Sequence, residues 1–181
     1  CEQLEDPATA KGIVKRDVIR MISPGTQFDP DSLDSKSYNV THAACNTKNN
    51  AVIWASSDFS TGKMWFGQCE SIDEWHRYCL GQRFSEILLP QNTWGEELVS
   101  ILRKQSSVFV QNLPRFYFDQ DYALSRIAEQ FQVTHFSSVH PKLGDFAKPV
   151  GALIKYFQES QKALQIPSCS KIEYWLDNQC M

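Results

Sequence analysis

The strongest constraint on the fold is a series of three strand-like runs joined by very short turns. The runs are rich in β-branched and aromatic residues and span positions 38–46, 51–59 and 63–70. The turns between them contain Asn49-Asn50 and Ser60-Thr61-Gly62, residue types that tolerate a positive φ angle. Because turns this short join antiparallel neighbours, the sequence predicts a three-stranded antiparallel meander.

A helix is predicted directly after the meander. Ser71 and Glu74 have the spacing of a capping box, in which the serine oxygen accepts the amide of the third helical residue and the glutamate reaches back. The apolar residues that follow share one predicted helical face, namely Ile72, Trp75, Cys79 and Leu80.

Strand and helix patterns then alternate along the chain. The apolar runs 86–90 (EILLP) and 107–111 (SVFVQ) are strand-like. Three further amphipathic helices are predicted, which makes four in all. The third of the four has Asp119 as its N-cap, and the fourth has Pro149 in its first turn. Their apolar faces consist of Trp94, Leu98, Ile101 and Leu102; of Leu124, Ile127, Ala128 and Phe131; and of Phe146, Val150, Leu153 and Phe157.

This order of elements indicates an α/β fold. A meander followed by two strand–helix units gives a mixed sheet flanked by helices, an order that resembles the ribonuclease H-like fold. Toward the ends of the chain, residues 1–12 are interpreted as a helix end and a linker, residues 13–22 as strand-like, and residues 166–181 as a strand.

The charge balance argues against a nucleic-acid-binding domain that works by bulk charge. The chain has 18 basic and 21 acidic residues, a formal net charge of −3. One local basic cluster contains Lys11, Lys15, Arg16 and Arg20 against Asp17. Two hypotheses remain for it: a phosphate contact through Lys15, Arg16 and Arg20, as in an autonomous DNA-binding domain, or a solvated strand edge.

A nuclease of this fold class needs several carboxylates around two divalent cations. The first strand of the meander has no carboxylate, and the fourth strand has only Glu86 at its start. Asp58 lies beside a turn, where turn amides are its expected partners. A divergent metal-dependent nuclease using Asp58 stays an alternative that the sequence supports weakly.

Histidine and cysteine patterns give no complete site. His76 and Cys79 have metal-ligand spacing on a helix, but a site needs three or four ligands and the sequence offers no second pair, so a core Cys79 beside a half-exposed His76 is the better explanation. His135 and His140 flank a loop without an obvious nucleophile. Cys45, Cys69 and Cys79 lie in apolar or periodic surroundings, so we expect reduced core cysteines and a reducing compartment.

The first 26 residues, CEQLEDPATAKGIVKRDVIRMISPGT, closely resemble a segment of the MutS family of DNA mismatch-recognition ATPases. The run C-E-Q, D-P-A, K-G-x-V-x-R and the P-G-T turn carries the resemblance. Residues 52–66 (VIWASSDFSTGKMWF) are similar to a strand–turn–strand hairpin of that family. Residues 149–163 and 166–175 look like its last connector helix and the start of its lever and core region. Since the chain opens on Cys1, we expect it to be part of a longer protein.

The resemblance implies a domain organisation and a function. Residues 1–26 correspond to the end of the mismatch-binding domain and a linker, residues 27–163 to a ribonuclease H-like connector domain, and residues 164–181 to a linker into the lever and core. In the family, this connector couples mismatch recognition to the ATPase and offers a docking surface to the matchmaker MutL. The implied segment is not an enzyme and has no catalytic, cofactor-binding or metal residues of its own.

The implied partners belong to the parent protein. They are its other domains, MutL, and mismatched DNA bound through the parent, which we expect to be a cytoplasmic homodimer that binds ATP and Mg²⁺ and does not enter a membrane. For MutL docking, we predict the polar side of the third helix, Ser125, Arg126 and Glu129, because these positions lie off its apolar face. A plain solvated helix face is the alternative.

Overall fold

The computed structural model describes residues 2–3, 16–17, 23–25, 39–58, 61–106, 108–160 and 171–175. Eight strands and four α-helices lie in these ranges, with short 3-10 turns before α3 and α4. In chain order they are β1 (Glu2–Gln3), β2 (Arg16–Asp17), β3 (Val40–Asn46), β4 (Val52–Asp58), β5 (Lys63–Cys69), α1 (Ile72–Gly81), β6 (Glu86–Pro90), α2 (Glu96–Ser106), β7 (Phe109–Leu113), α3 (Gln120–Phe131), α4 (Ala147–Ser160) and β8 (Lys171–Tyr174).

One mixed sheet organises the molecule. Its six strands lie in the order β7-β6-β3-β4-β5-β8. The pairs β3–β4 and β4–β5 are antiparallel, whereas β3–β6, β6–β7 and β5–β8 are parallel. The prediction of an α/β fold with a mixed sheet flanked by helices is confirmed. A separate two-stranded pair joins β1 to β2.

The predicted meander is present, and its turns use the expected residues. Asn50 (φ 61°) closes the β3–β4 turn, and Gly62 (φ 69°) closes the β4–β5 turn. Positive φ angles are common for Gly and enriched for Asn. The backbone N–H of Gly62 donates to the carbonyl of Asp58 at 3.0 Å, which joins the end of β4 to the start of β5 as expected for a tight turn.

Both predicted N-caps form, one of them with a different partner for its glutamate. The Ser71 hydroxyl accepts from the Glu74 amide at 3.2 Å, and the Asp119 carboxylate accepts from the Tyr122 amide at 3.0 Å. The capping box, however, predicts that the Glu74 carboxylate bonds the Ser71 amide. In the structure the Glu74 carboxylate accepts instead from the backbone amide of Glu70, at 2.7 Å.

Two apolar cores lie on opposite faces of the sheet. On β3, Ala43 and Cys45 face α3 and α4, whereas Ala44 faces α1 and α2. On β6, Leu88 faces the first pair of helices, and Ile87 with Leu89 faces the second. Since the central strands are covered on both faces, their sequences are nearly continuous apolar runs.

The predicted helix faces are right except for a few positions. Leu80 is 44% exposed, because a helix turns about 100° per residue and Leu80 follows Cys79 away from the sheet. Trp94 packs against the core, but it precedes the first residue of α2. On α2 itself Val99 is buried, whereas Ile101, which was predicted to be on the apolar face, is only half-buried. The helix end predicted for residues 1–12 is also wrong at Glu2–Gln3, which pairs with Arg16–Asp17 as a strand.

Strand β7 forms an edge of the described sheet. The backbone N–H of Phe109 donates to the Ser85 carbonyl, and the Leu113 carbonyl accepts from the Gln91 N–H, so the backbone polar groups of the odd-numbered residues point toward β6. The backbone carbonyl of Val110 therefore points away from β6, toward the open edge. The Arg103 guanidinium of α2 donates to that carbonyl at 3.0 Å.

Candidate functional site

The three residues predicted for partner docking lie together on α3. Ser125 and Glu129 are exposed, and Arg126 is half-buried between them. Arg126 forms an ion pair with Glu129 at 2.6 Å, and its guanidinium lies 5.5 Å from the centre of the Tyr122 ring. The face therefore presents one positive and one negative charge side by side.

The predicted phosphate contacts fall outside the described part of the chain. Lys15 and Arg20 lie beyond it, and of Arg16 only the backbone, in β2, is described. The hypothesis of a phosphate site at Lys15, Arg16 and Arg20 stays a prediction.

The described histidine and cysteine candidates do not lie together in one site. Cys45, Cys69 and Cys79 are buried free thiols, as predicted. Burial raises the pKa of the Cys45 thiol to about 12, which makes it unreactive at neutral pH. His135 is exposed, whereas the His140 ring packs edge-on against Phe66 at 5.1 Å. Among the described residues, no group of three or more His, Cys, Asp or Glu could hold a metal ion.

A buried carboxylate joins separate parts of the chain on the α3–α4 side of the sheet. Glu86 begins β6 and is 0% exposed. Its Oε2 accepts from the Ser23 hydroxyl at 2.7 Å, and its Oε1 accepts from the Tyr156 hydroxyl at 2.8 Å. The Gly25 backbone N–H also donates to Glu86, and the Tyr156 oxygen lies 3.1 Å from Oε1 of Gln111. We call these five residues the Glu86 network.

The network satisfies a group that would otherwise be costly to bury. Burial raises the pKa of the Glu86 carboxyl, and the hydrogen bonds from Ser23, Tyr156 and Gly25 oppose that rise. A buried carboxylate needs such donors, since burying it alone carries a large desolvation penalty. With both oxygens engaged, Glu86 serves as an internal hydrogen-bond acceptor.

Gly25 fits against this carboxylate only because it lacks a side chain. A Cβ atom at Gly25 would lie 2.1 Å from Oγ1 of Thr41 and 2.8 Å from Oε2 of Glu86. Thr41 also donates its hydroxyl to the Gly25 carbonyl at 3.3 Å. The turn at Pro24-Gly25 is therefore in direct contact with the ends of β3 and β6.

Sequence reasoning missed the Glu86 network because its members are far apart in the chain. Ser23 and Glu86 are 63 positions apart, and Ser23 and Tyr156 are 133 apart. Local patterns carry no information about such pairings. The one signal available was a glutamate at the head of an otherwise apolar, fully buried strand, which requires a partner.

A second buried polar group lies on the other face of the sheet. His42 is 0% exposed, and its Nε2 accepts from the Trp75 indole at 3.0 Å. Because an indole only donates, the His42 ring proton is assigned to Nδ1, which lies 2.8 Å from the Ser56 hydroxyl. Burial lowers the pKa of His42 to about 3, so the ring is neutral and serves the core rather than proton transfer.

Comparison with known proteins shows which proteins the chain resembles. Residues 1–31 match a family model described as MutS domain I. A protein of Fervidobacterium nodosum named DNA mismatch repair protein MutS is 36% identical over 170 residues, which cover 92% of this chain and 20% of that protein. The chain therefore matches a fragment of the MutS proteins over more than 90% of its own length. The MutS protein of Fusobacterium nucleatum is 33% identical over 183 residues, covering 96% of this chain and 20% of its own length.

The matched MutS proteins are much longer than this chain, which spans about one-fifth of their length. The resemblance to MutS seen in the first 26 residues is thereby confirmed and extends over nearly the whole chain. In the described ranges, no helix is long and apolar enough to cross a membrane.

Proposed function

We propose that this chain is the connector segment of a DNA mismatch repair ATPase. In this role it catalyses no reaction itself, couples mismatch recognition to the state of the ATPase, and offers a docking surface to MutL. The observation that carries the proposal is that both carboxylate oxygens of Glu86 accept hydrogen bonds from other protein groups. The chain in which this occurs is similar to MutS over more than 90% of its length. Glu86 is the one carboxylate on β3 and β6, and both of its oxygens accept hydrogen bonds from protein groups.

A ribonuclease H-like fold is part of the same proposal. It is supported by the order of the elements, a meander β3–β4–β5 followed by β6 and β7, which lie parallel to β3 on its other side. A nuclease of this fold would need metal-binding carboxylates on the central strands. The occupied Glu86 favours a binding role for this domain instead.

The α3 face supports the docking part of the proposal. Its exposed charges are ordered by the Arg126–Glu129 ion pair, which reduces the entropy lost when a partner binds. A partner with complementary charges would recognise the polarity of this pair.

Exchanging the two charges tests the docking surface without removing the ion pair. In the full-length protein, Arg126→Glu with Glu129→Arg keeps a pair of opposite charges at the same positions and inverts the polarity of the surface. We expect MutL to bind at least about tenfold more weakly, because charges that attracted now repel. The measurement is the affinity for MutL in the presence of mismatched DNA and ATP.

The matched control is Arg77→Glu, which reverses an exposed charge on α1, on the opposite side of the sheet. It should leave the MutL affinity unchanged. An unchanged affinity in the exchanged variant, with its thermal stability intact, would remove α3 as the docking surface.

A further inference from the structure

The segment Ser23–Gly25 contacts three elements of the α/β domain, which comprises the six-stranded sheet and its helices: β3, β6 and α4. Ser23 and Gly25 donate to Glu86 on β6, and the Tyr156 hydroxyl of α4 lies 3.0 Å from the Ser23 oxygen. Thr41 of β3 adds a contact to the Gly25 carbonyl. The segment is therefore bonded to strands β3 and β6 and to helix α4.

Releasing this segment would carry an unusual cost. Glu86 has no exposed surface, so withdrawing Ser23 and Gly25 leaves a buried carboxylate with too few donors. Loss of one partner of a buried charged group costs more than an ordinary surface hydrogen bond, because the desolvated charge remains. The segment should thus stay attached unless water reaches the carboxylate.

The same segment belongs to the part of the chain that matches another domain. Residues 1–31 match the MutS domain I model, and this range includes Ser23 and Gly25. We propose that Glu86, Ser23 and Tyr156 fasten a segment near the end of the domain I match to the α/β domain, so that Ser23–Gly25 and the sheet move as one body. The consequence for coupling between domains rests on the proposed function, whereas the fastening itself does not.

The Gly25 amide gives a direct measurement of the fastening, since it donates to Glu86. Ser23→Ala and Tyr156→Phe each remove one hydroxyl from the carboxylate with little change of volume. In the 181-residue chain, we expect each substitution to speed hydrogen exchange of the Gly25 amide at least about tenfold, because local opening becomes easier. Exchange of the Leu88 amide, deeper in β6, should change less.

Tyr117→Phe is a closely matched control. It also removes a buried tyrosine hydroxyl that donates to a carboxylate, in this case Glu159 of α4, but it does not touch the segment. The proposal fails if Ser23→Ala and Tyr156→Phe accelerate Gly25 exchange no more than Tyr117→Phe does. Thermal unfolding of each variant confirms that the comparison is made between folded chains.

A second measurement separates the fastening from the proposed function. In the full-length protein, Ser23→Ala and Tyr156→Phe should weaken the response of ATP hydrolysis to mismatched DNA, and Tyr117→Phe should not. Faster Gly25 exchange with an unchanged ATPase response would support the fastening and contradict the coupling role. Unchanged Gly25 exchange would overturn the fastening, whatever the ATPase response.

Discussion

His42 and Glu86 are buried ionisable residues on opposite faces of one sheet, and each is stabilised in a different way. His42 is kept neutral between the Trp75 indole and the Ser56 hydroxyl. Glu86 is held by hydroxyl and amide donors from other segments. Their pKa values shift in opposite directions, downward for the histidine and upward for the carboxyl, and burial is the leading cause in both cases. The two residues therefore have opposite effects on stability as pH changes.

We expect His42 to make the protein less stable in mild acid. Its pKa falls from 6.5 to about 3 on folding, so the unfolded chain takes up a proton below pH 6.5 and the folded chain does not. The stabilisation present above pH 6.5 is lost as the pH falls toward 3. Linkage gives a loss of about 2 kcal/mol in the free energy of unfolding between pH 7 and pH 5.

Urea denaturation at several pH values checks this expectation when the native chain is compared with His42→Gln. The glutamine cannot titrate, and its carbonyl can still accept from Trp75. Between pH 6 and pH 5, the free energy of unfolding of the variant should fall less steeply with decreasing pH than that of the native chain, by about 1.4 kcal/mol per pH unit, the slope that uptake of one proton produces. Because Glu86 is present in both chains, its opposing contribution cancels. Equal slopes would show that His42 is charged or exposed in the folded state.

Helices α3 and α4 pack closely because Gly151 faces Ala123. A Cβ atom at Gly151 would lie 2.5 Å from the Cβ of Ala123 and 2.6 Å from its Cα. Glycine inside a helix is unfavourable by about 1 kcal/mol relative to alanine, so its presence here indicates that the close approach is worth more than the lost helix propensity.

Gly151→Ala should therefore destabilise the protein, by about 1–3 kcal/mol, since the backbone of α3 must move to make room. Gly81→Ala is the control, because a Cβ at Gly81 meets nothing within 4 Å. That substitution, at the last residue of α1, should be neutral or slightly stabilising. Chemical denaturation of both variants decides the matter, and equal stability would mean that the two helices are not in tight contact.

Elements were predictable from the sequence where local chemistry determines them. Asn50 and Gly62 indicated the meander turns, and Asp119 indicated the start of α3. The position of β8 beside β5 was not predictable, because parallel pairing between distant strands leaves no local pattern. The Glu86 network was not predicted for the same reason. The exposure of Leu80 was not predicted because the apolar face assigned to α1 included one residue too many.

At the scale of the whole molecule, both ends of the α/β domain are attached to its sheet. Ser23–Gly25 is bonded to β6 and α4, and β8 pairs with β5 on the far side. The Lys142 ammonium lies 4.1 Å from the centre of the Tyr174 ring, which adds a side-chain contact to the backbone pairing of β8. The described segments before and after the central part of the chain are therefore both bonded to the same six-stranded sheet or to the helix α4 that covers it.

The guanidinium that covers the outer carbonyl of β7 has a consequence for solubility. An open strand edge offers unpaired backbone groups to another chain, and such edges promote aggregation. Arg103 occupies one of these groups, the Val110 carbonyl, and places a charge on the edge. Arg103→Ala should increase concentration-dependent self-association, measured by sedimentation velocity, whereas Lys104→Ala, which removes the same charge one residue away, should not. If the two variants associate equally, net charge rather than the protected edge keeps the molecules apart.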